Sequence, residues 1–182
     1  MIFEETSLPG AFLVKSERHA DERGRFERLW CAAEFASRGL SPKLAQTSLS
    51  INRQKATLRG LHYQKPPAAE DKFVTCLRGR IFDVIVDLRA SSPAYGQWLG
   101  VELSASEAVA LYVPKGCAHG FVTLEDDTWL LYQISEFYAP ELGSGIRWND
   151  PGLAIAWPIE PAMISEKDRA LPLFQPGTSG GM

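Results

Sequence analysis

The stretch Thr57-Leu58-Arg59-Gly60-Leu61-His62-Tyr63-Gln64, with Lys72 a loop later, sets a guanidinium, an imidazole, a phenol, an amide and an ammonium among strand-forming apolar residues. None of these polar groups helps a strand to form. On a half-buried strand each costs desolvation unless something binds it. The set is therefore a candidate site, and its chemistry is acid–base. A neutral histidine is the usual general base near neutral pH, most effective when a carboxylate on its other ring nitrogen fixes the tautomer. Arg59 and Lys72 suit an oxyanion that develops during reaction. Tyr63, Tyr132 and Tyr138 are candidate proton donors, although any single strand tyrosine is more simply read as amphipathic packing. In a regular strand Arg59 and His62 face opposite ways. Gly60 between them permits a bulge that would turn both towards one cavity.

The elements that must position these groups are mostly short strands. Gln46, Ser48, Ser50 and Asn52 alternate with Thr47, Leu49 and Ile51, the period-2 pattern of a strand with one polar face. Residues 73–77 read as the next strand, 78–80 as a turn, and 81–88 as a central strand that is apolar on both faces except for Asp83 and Asp87. Each aspartate is read first as a structural ion pair and second as an orienting carboxylate near Lys72. Residues 98–103, 108–113 and 128–135 are further predicted strands, with shorter signals between 3 and 14, at Leu124 and at Phe137-Tyr138. Residues 15–28 contain the turn signal Asp21-Glu22-Arg23-Gly24-Arg25-Phe26 and read as a solvated loop, in which Arg23 and Phe26 could equally clamp a phosphate and stack a base. Residues 32–38, closed by Gly39, are a short helix. Residues 165–169 are a polar piece of the tail, and 174–182 are expected to be disordered. Many short strands at roughly 8–12-residue spacing call for an all-β sandwich or barrel. No repeat, linker or low-complexity block divides the chain, so 1–182 reads as one domain.

Composition narrows the function classes. A net charge of −3 over 182 residues argues against nucleic acid as the main partner, while a few local Arg and Lys still suffice for a small phosphorylated ligand. Cys31, Cys76 and Cys117 are widely spaced without a C-x-x-C, the usage of a reducing compartment. With no signal-peptide pattern and no apolar run of membrane-spanning length, a soluble cytoplasmic protein that does not engage membranes is expected. Of three histidines, His19 sits in a polar loop and reads as a surface residue. His119 ends Pro114-x-Gly116-x-x-His119, which resembles the second motif of the cupin β-barrels. Many cupins hold a metal through a His-x-His pair and a later Glu. Here His62-Tyr63-Gln64 lacks the second His, so the cupin barrel is expected and a metal is not.

Taken in order, the motifs resemble the dTDP-4-dehydrorhamnose 3,5-epimerase family of cupin-fold nucleotide-sugar epimerases. The resemblance rests on Asp21-x-Arg23-Gly24-x-Phe26, Leu58-Arg59-Gly60-Leu61-His62-Tyr63-Gln64, and Phe82-Asp83-Val84-Ile85-Val86-Asp87-Leu88-Arg89. It continues through Ser92-Pro93, Val113-Pro114-x-Gly116-x-Ala118-His119-Gly120-Phe121, Trp148-Asn149-Asp150-Pro151 and Ser165-Glu166-Lys167-Asp168. It implies a cupin-type double-stranded β-helix, a jelly-roll barrel with short peripheral helices. It further implies that His62, paired with Asp168, takes a proton from the carbon next to a C4 ketone, that Lys72 with Arg59 stabilises the enolate, and that Tyr132 returns a proton on the opposite face. By the same resemblance His119 binds near the sugar or phosphate, Gln46, Ser48, Tyr138 and Lys167 contact substrate, and Arg23 and Phe26 contact the nucleotide across a homodimer. No cofactor is implied, because the ketone itself acidifies its neighbouring C–H bonds. Two positions depart from the family's habit: Arg28 replaces a frequent acidic residue, and Ser48 a common Asn. They leave the nucleobase and the sugar open. Epimerisation of C3 alone, 3,4-ketoisomerisation, a metal-dependent cupin enzyme and a non-catalytic binding module are the alternatives.

Overall fold

In the computed structural model, residues 1–176 are described, and they form fourteen strands and two short helices. In chain order these are β1 (Ile2–Glu5), β2 (Phe12–Lys15), β3 (Arg18–Asp21), β4 (Gly24–Glu27), α1 (Ala32–Ala36), β5 (Gln46–Asn52), β6 (Thr57–Gln64), β7 (Lys72–Arg78) and β8 (Arg80–Asp87). They continue with β9 (Trp98–Ser104), β10 (Val109–Val113), β11 (Cys117–Thr123), β12 (Thr128–Ile134), β13 (Gly143–Gly145), β14 (Met163–Ile164) and α2 (Glu166–Arg169). One antiparallel sheet has the order β1-β2-β10-β7-β12-β5. The other has the order β13-β6-β11-β8-β9, with β14 added parallel to β6. From β5 onward the chain passes back and forth between the two sheets, which is the jelly-roll solution to closing antiparallel strands around a core. Among the described residues no helix is long and apolar enough to cross a membrane.

Period-2 alternation decides what fills the space between the sheets. Val74, Cys76, Leu111 and Leu130 from one sheet meet Ile81, Ile85, Leu103 and Phe121 from the other, all buried. The outer faces are covered too. Phe35 of α1 packs on Phe73 with ring centroids 5.1 Å apart, and Leu153 and Ile146 cover Val84 and Val86. Strands β7 and β8 are thus buried on both faces, which is why their sequences run apolar without alternating. Asp87 is a structural ion pair, receiving Arg89 Nη2 at 2.6 Å, Arg89 Nε at 2.9 Å and Ser92 Oγ at 2.6 Å.

Four local expectations are revised. Residues 18–27 are a two-stranded hairpin rather than a loop, its β3 fully exposed, so no buried face left an alternating trace. Phe137 and Tyr138 lie outside any strand. The Gln64 side chain takes the carbonyl of Phe137 at 3.1 Å and the amide of Ala139 at 2.7 Å, so these backbone groups are satisfied without a ladder. Residues 166–169 are a helix capped by Ser165, whose Oγ accepts the Asp168 amide at 3.1 Å. Phe174, at the start of the expected tail, donates its amide to Asp150 Oδ2 at 2.6 Å and packs on Tyr95. The rest of that tail, 177–182, lies outside the described residues.

The bulge at Gly60 is present. His62 pairs with His119 and Arg59 with Phe121, so two residues of β6, Gly60 and Leu61, oppose the single Gly120 of β11. The extra residue reverses the side-chain parity and brings Arg59 and His62 to the same face. Gly60 has φ +124°, and a Cβ there would sit 2.5 Å from the Gly120 Cα and 2.8 Å from the His119 carbonyl oxygen. Gly60→Ala is expected to destabilise the fold by more than about 3 kcal/mol, combining backbone strain with a clash against an unyielding neighbour strand. Urea unfolding measures this, and a cost under about 1 kcal/mol would contradict the tight backbone approach.

Candidate active site

The bulge places His62 beside Asp168, a residue 106 positions later in the chain, with His62 Nε2 2.7 Å from Asp168 Oδ1. Ser165-x-x-Asp168 is a helix-start pattern in which the third residue's carboxylate ordinarily folds back onto the cap. Here it turns away. Asp168 Oδ1 meets His62, and Oδ2 accepts the Gly60 amide at 3.3 Å, so both oxygens hold β6. Because a carboxylate only accepts, Nε2 carries the hydrogen and Nδ1 is left as the basic nitrogen. The His62 side chain is 42% exposed while that of Asp168 is 6% exposed, so the acid is sealed and the ring faces open space. Burial lowers the His62 pKa below its ordinary 6.5, with Asp168 opposing the shift and Lys72 and His119 adding to it.

The two strong cations are each anchored from behind. Lys72, on β7, donates to the His62 carbonyl at 3.0 Å and lies 3.1 Å from Glu70 Oε1. Arg59 Nε donates to Asn52 Oδ1 at 2.8 Å, and the buried Asn52 is itself fixed by donating to the Thr128 carbonyl at 3.2 Å. Its remaining guanidinium edge is open to the cavity.

A second imidazole–carboxylate pair lies directly beside the first. His119 is the register partner of His62, and its Nε2 is 2.7 Å from Asp83 Oδ1, both groups being buried. Asp83 therefore orients a histidine, whereas the carboxylate beside Lys72 is Glu70. The His119 ring stands edge-on to Tyr132 with centroids 5.8 Å apart. Tyr132 comes from β12 in the opposite sheet. Burial drives its pKa well above the ordinary 10, the nearby Asp83 charge adds to the rise, and Arg59 opposes it.

These groups line one cavity of about 420 Å³, together with Ser50, Ile134, Ser165 and Lys167. Arg59, Lys72 and Lys167 give it a cationic wall suited to an anion. Of the residues singled out in the sequence, His62, Asp168, Lys72, Arg59, His119, Tyr132 and Lys167 converge there. Gln46 and Ser48 share the inward face with Tyr132, Ser48 being its direct register partner, but Ser50 forms the wall, and the Gln46 amide is spent on the Glu136 carbonyl at 2.8 Å. Tyr138 is 65% exposed and stands off the wall. Arg23 and Phe26 lie on the β3–β4 hairpin away from this cavity, Phe26 being 70% exposed. Tyr63 packs with the outer core, as its position beside the bulge requires. Asn52, Glu70 and Ser165 carried no site assignment. Asn52 lies on the polar face of the 46–52 alternation and Ser165 opens a capping pattern, whereas Glu70 has no local signal. Among the described residues no group of three or more His, Cys, Asp and Glu is arranged to hold a metal ion.

Comparison with known proteins identifies the fold and the family. A curated dTDP-4-dehydrorhamnose 3,5-epimerase of Methanothermobacter thermautotrophicus is 43% identical over 170 residues, spanning 92% of this chain and 91% of its own. The solved dTDP-4-dehydrorhamnose 3,5-epimerase of Elizabethkingia anophelis superposes with a TM-score of 0.92 at 38% identity, over 96% of each chain. That of Bacillus anthracis, solved with TDP and PPi bound, superposes with a TM-score of 0.92 at 40% identity, covering 95% of this chain and 99% of that one. The barrel described above is the cupin-like fold of these neighbours. The sequence model of the same family, dTDP-4-dehydrorhamnose 3,5-epimerase, matches residues 5–176, and the chain belongs to that family.

Proposed function

We propose that this protein epimerises a nucleotide-diphospho-4-keto-6-deoxysugar without a cofactor, through proton transfer on the two faces of an enolate. The observation that carries the reading is that a histidine–carboxylate pair and a half-buried tyrosine reach one cationic cavity from opposite sheets. His62 Nδ1 takes the proton from the carbon beside the C4 ketone, and Asp168 stabilises the imidazolium that forms. Charge moves onto the C4 oxygen, where Lys72 and Arg59 meet it in a partly desolvated site. Tyr132 then delivers its phenolic proton to the carbon from the other side, inverting the centre. The enzyme ends with one proton more on His62 and one fewer on Tyr132, and exchange with solvent restores both. A raised Tyr132 pKa suits this order, since the phenol stays protonated until a carbanion is there to receive the proton.

Substrate handling belongs to the same proposal. His119 meets the sugar or its phosphates, with Lys167, Gln46, Ser48 and Tyr138 around the bound ligand. Arg23 and Phe26, exposed on their hairpin, are read as nucleotide contacts given to the neighbouring cavity of a homodimer. The three free cysteines fit a cytoplasmic site of action. Acid and base in facing sheets support inversion over 3,4-ketoisomerisation.

Incubation with dTDP-4-keto-6-deoxyglucose in deuterated water is expected to place deuterium at C3, and at C5 if two centres are epimerised, as read by NMR. No exchange with that substrate or with its CDP, GDP and UDP counterparts would sink the reading. His62→Ala should lower exchange by about 10²- to 10⁴-fold, the range of general-base removal. Tyr132→Phe should impair formation of inverted product more than wash-in of deuterium, and equal losses would contradict acid and base on opposite faces.

The pH dependence has a fixed sign. Since burial lowers the His62 pKa, the acidic limb of log kcat/KM should have its midpoint below 6.5. Asp168→Asn removes the charge that opposes this shift, so the midpoint should fall further while the plateau rate drops. A midpoint that rises in the variant would overturn the pairing.

A further inference from the structure

Lys72 is held in a way that the proton-transfer scheme does not by itself require. An ammonium has three N–H donors on a flexible four-carbon stem, and left to itself it samples many directions. In this chain one donor goes to the His62 carbonyl at 3.0 Å, and Nζ lies 3.1 Å from Glu70 Oε1. Lys72 also lines the cavity, so the third N–H is left for whatever occupies it.

A buried glutamate is uncommon and is ordinarily found paired. The Glu70 side chain is only 6% exposed, and Oε2 is buried without a hydrogen-bond partner. Such an orphaned oxygen costs free energy and calls for a reason. The chain braces Glu70 from both sides. On one side the buried Gln64, two residues after His62, donates to the Ala68 carbonyl at 2.9 Å and so ties down the turn before Glu70. On the other, the Asp71 amide donates to Ser135 Oγ at 2.8 Å, and Asp71 Oδ1 accepts the Lys115 amide at 3.1 Å. A turn this constrained delivers the carboxylate to Lys72 with little freedom of its own.

We infer that Glu70 is a positioning residue: its Oε1 and the His62 carbonyl together clamp the Lys72 ammonium so that one N–H points at the substrate oxygen that becomes negative. This rests on the epimerase reading above. The clamp also links Lys72 to the backbone of His62, so the group that receives the charge and the group that removes the proton keep a constant spacing.

The test compares Glu70→Ala and Glu70→Gln with the wild type in the deuterium-exchange assay, after thermal melts confirm that each variant is folded. Glu70→Ala should lower kcat by at least about tenfold with KM little changed, as for an interaction realised only in the transition state. Glu70→Gln should stay within about threefold of wild type, because its amide oxygen can accept the same N–H. A wild-type kcat in Glu70→Ala, or a Glu70→Gln loss as large as that of Glu70→Ala, would overturn the proposal. A crystal structure of Glu70→Ala gives a readout independent of turnover. Lys72 Nζ should leave the His62 carbonyl or lose a defined position, and an unmoved ammonium counts against the clamp. If the wild type itself exchanges nothing, the epimerase reading fails, and the crystallographic comparison alone decides the role of Glu70.

Discussion

Asp168 ties the C-terminal segment to β6, the strand that carries His62. One oxygen meets His62 and the other accepts the Gly60 amide, so a single carboxylate fixes both an imidazole and the bulge beneath it. The bulge in turn sets the parity that lets Arg59 and His62 share a face, and Gly60 and Gly120 must touch for β6 and β11 to pair around it. Remove any of these and the others lose their purpose. The carboxylate is nearly sealed from solvent, so water competes little for its hydrogen bonds.

The same arrangement recurs around the cavity. Four groups that line the cavity have a partner behind them: Asp168 for His62, Asp83 for His119, Glu70 for Lys72, Asn52 for Arg59. Burying charges is costly, and a well-packed apolar core would be at least as stable. Apolar contacts among Val74, Ile85, Leu111 and Phe121 lie between the same two sheets, Val74 being the register partner of Tyr132 and Ile85 that of His119. Groups held this way need little reorganisation when charge moves from carbon to oxygen, which is where a preorganised site gains its rate.

Much of this was legible in the sequence because strands leave a period-2 record. The polar face of residues 46–52, the doubly buried run 81–88 and the need for a bulge at Gly60 all followed from parity and burial. The partners were harder to see. Asp83 carries no mark that it will meet His119, since that pairing arises from the register of β8 with β11. Glu70 sits in a turn without period, where a carboxylate looks like ordinary solvated charge. The four residues of α2 are too few to show helical periodicity, and only the Ser165-x-x-Asp168 spacing hinted at them. The β3–β4 hairpin reads as a loop in the sequence for a related reason: without a buried face, a strand writes no pattern.

The distance in sequence between His62 and Asp168 has a consequence for when the protein becomes competent. The strands that build both walls of the cavity, β5 to β12, are complete by Ile134 and can pair as soon as they leave the ribosome. The imidazole then has its place but no fixed tautomer. Only when residues 163–169 fold back, β14 joining β6 and α2 bringing its carboxylate to the bulge, does the ring acquire a defined basic nitrogen. Shape therefore precedes reactivity along the nascent chain, and a barrel whose synthesis stopped short of Ser165 would carry its proposed base unaimed.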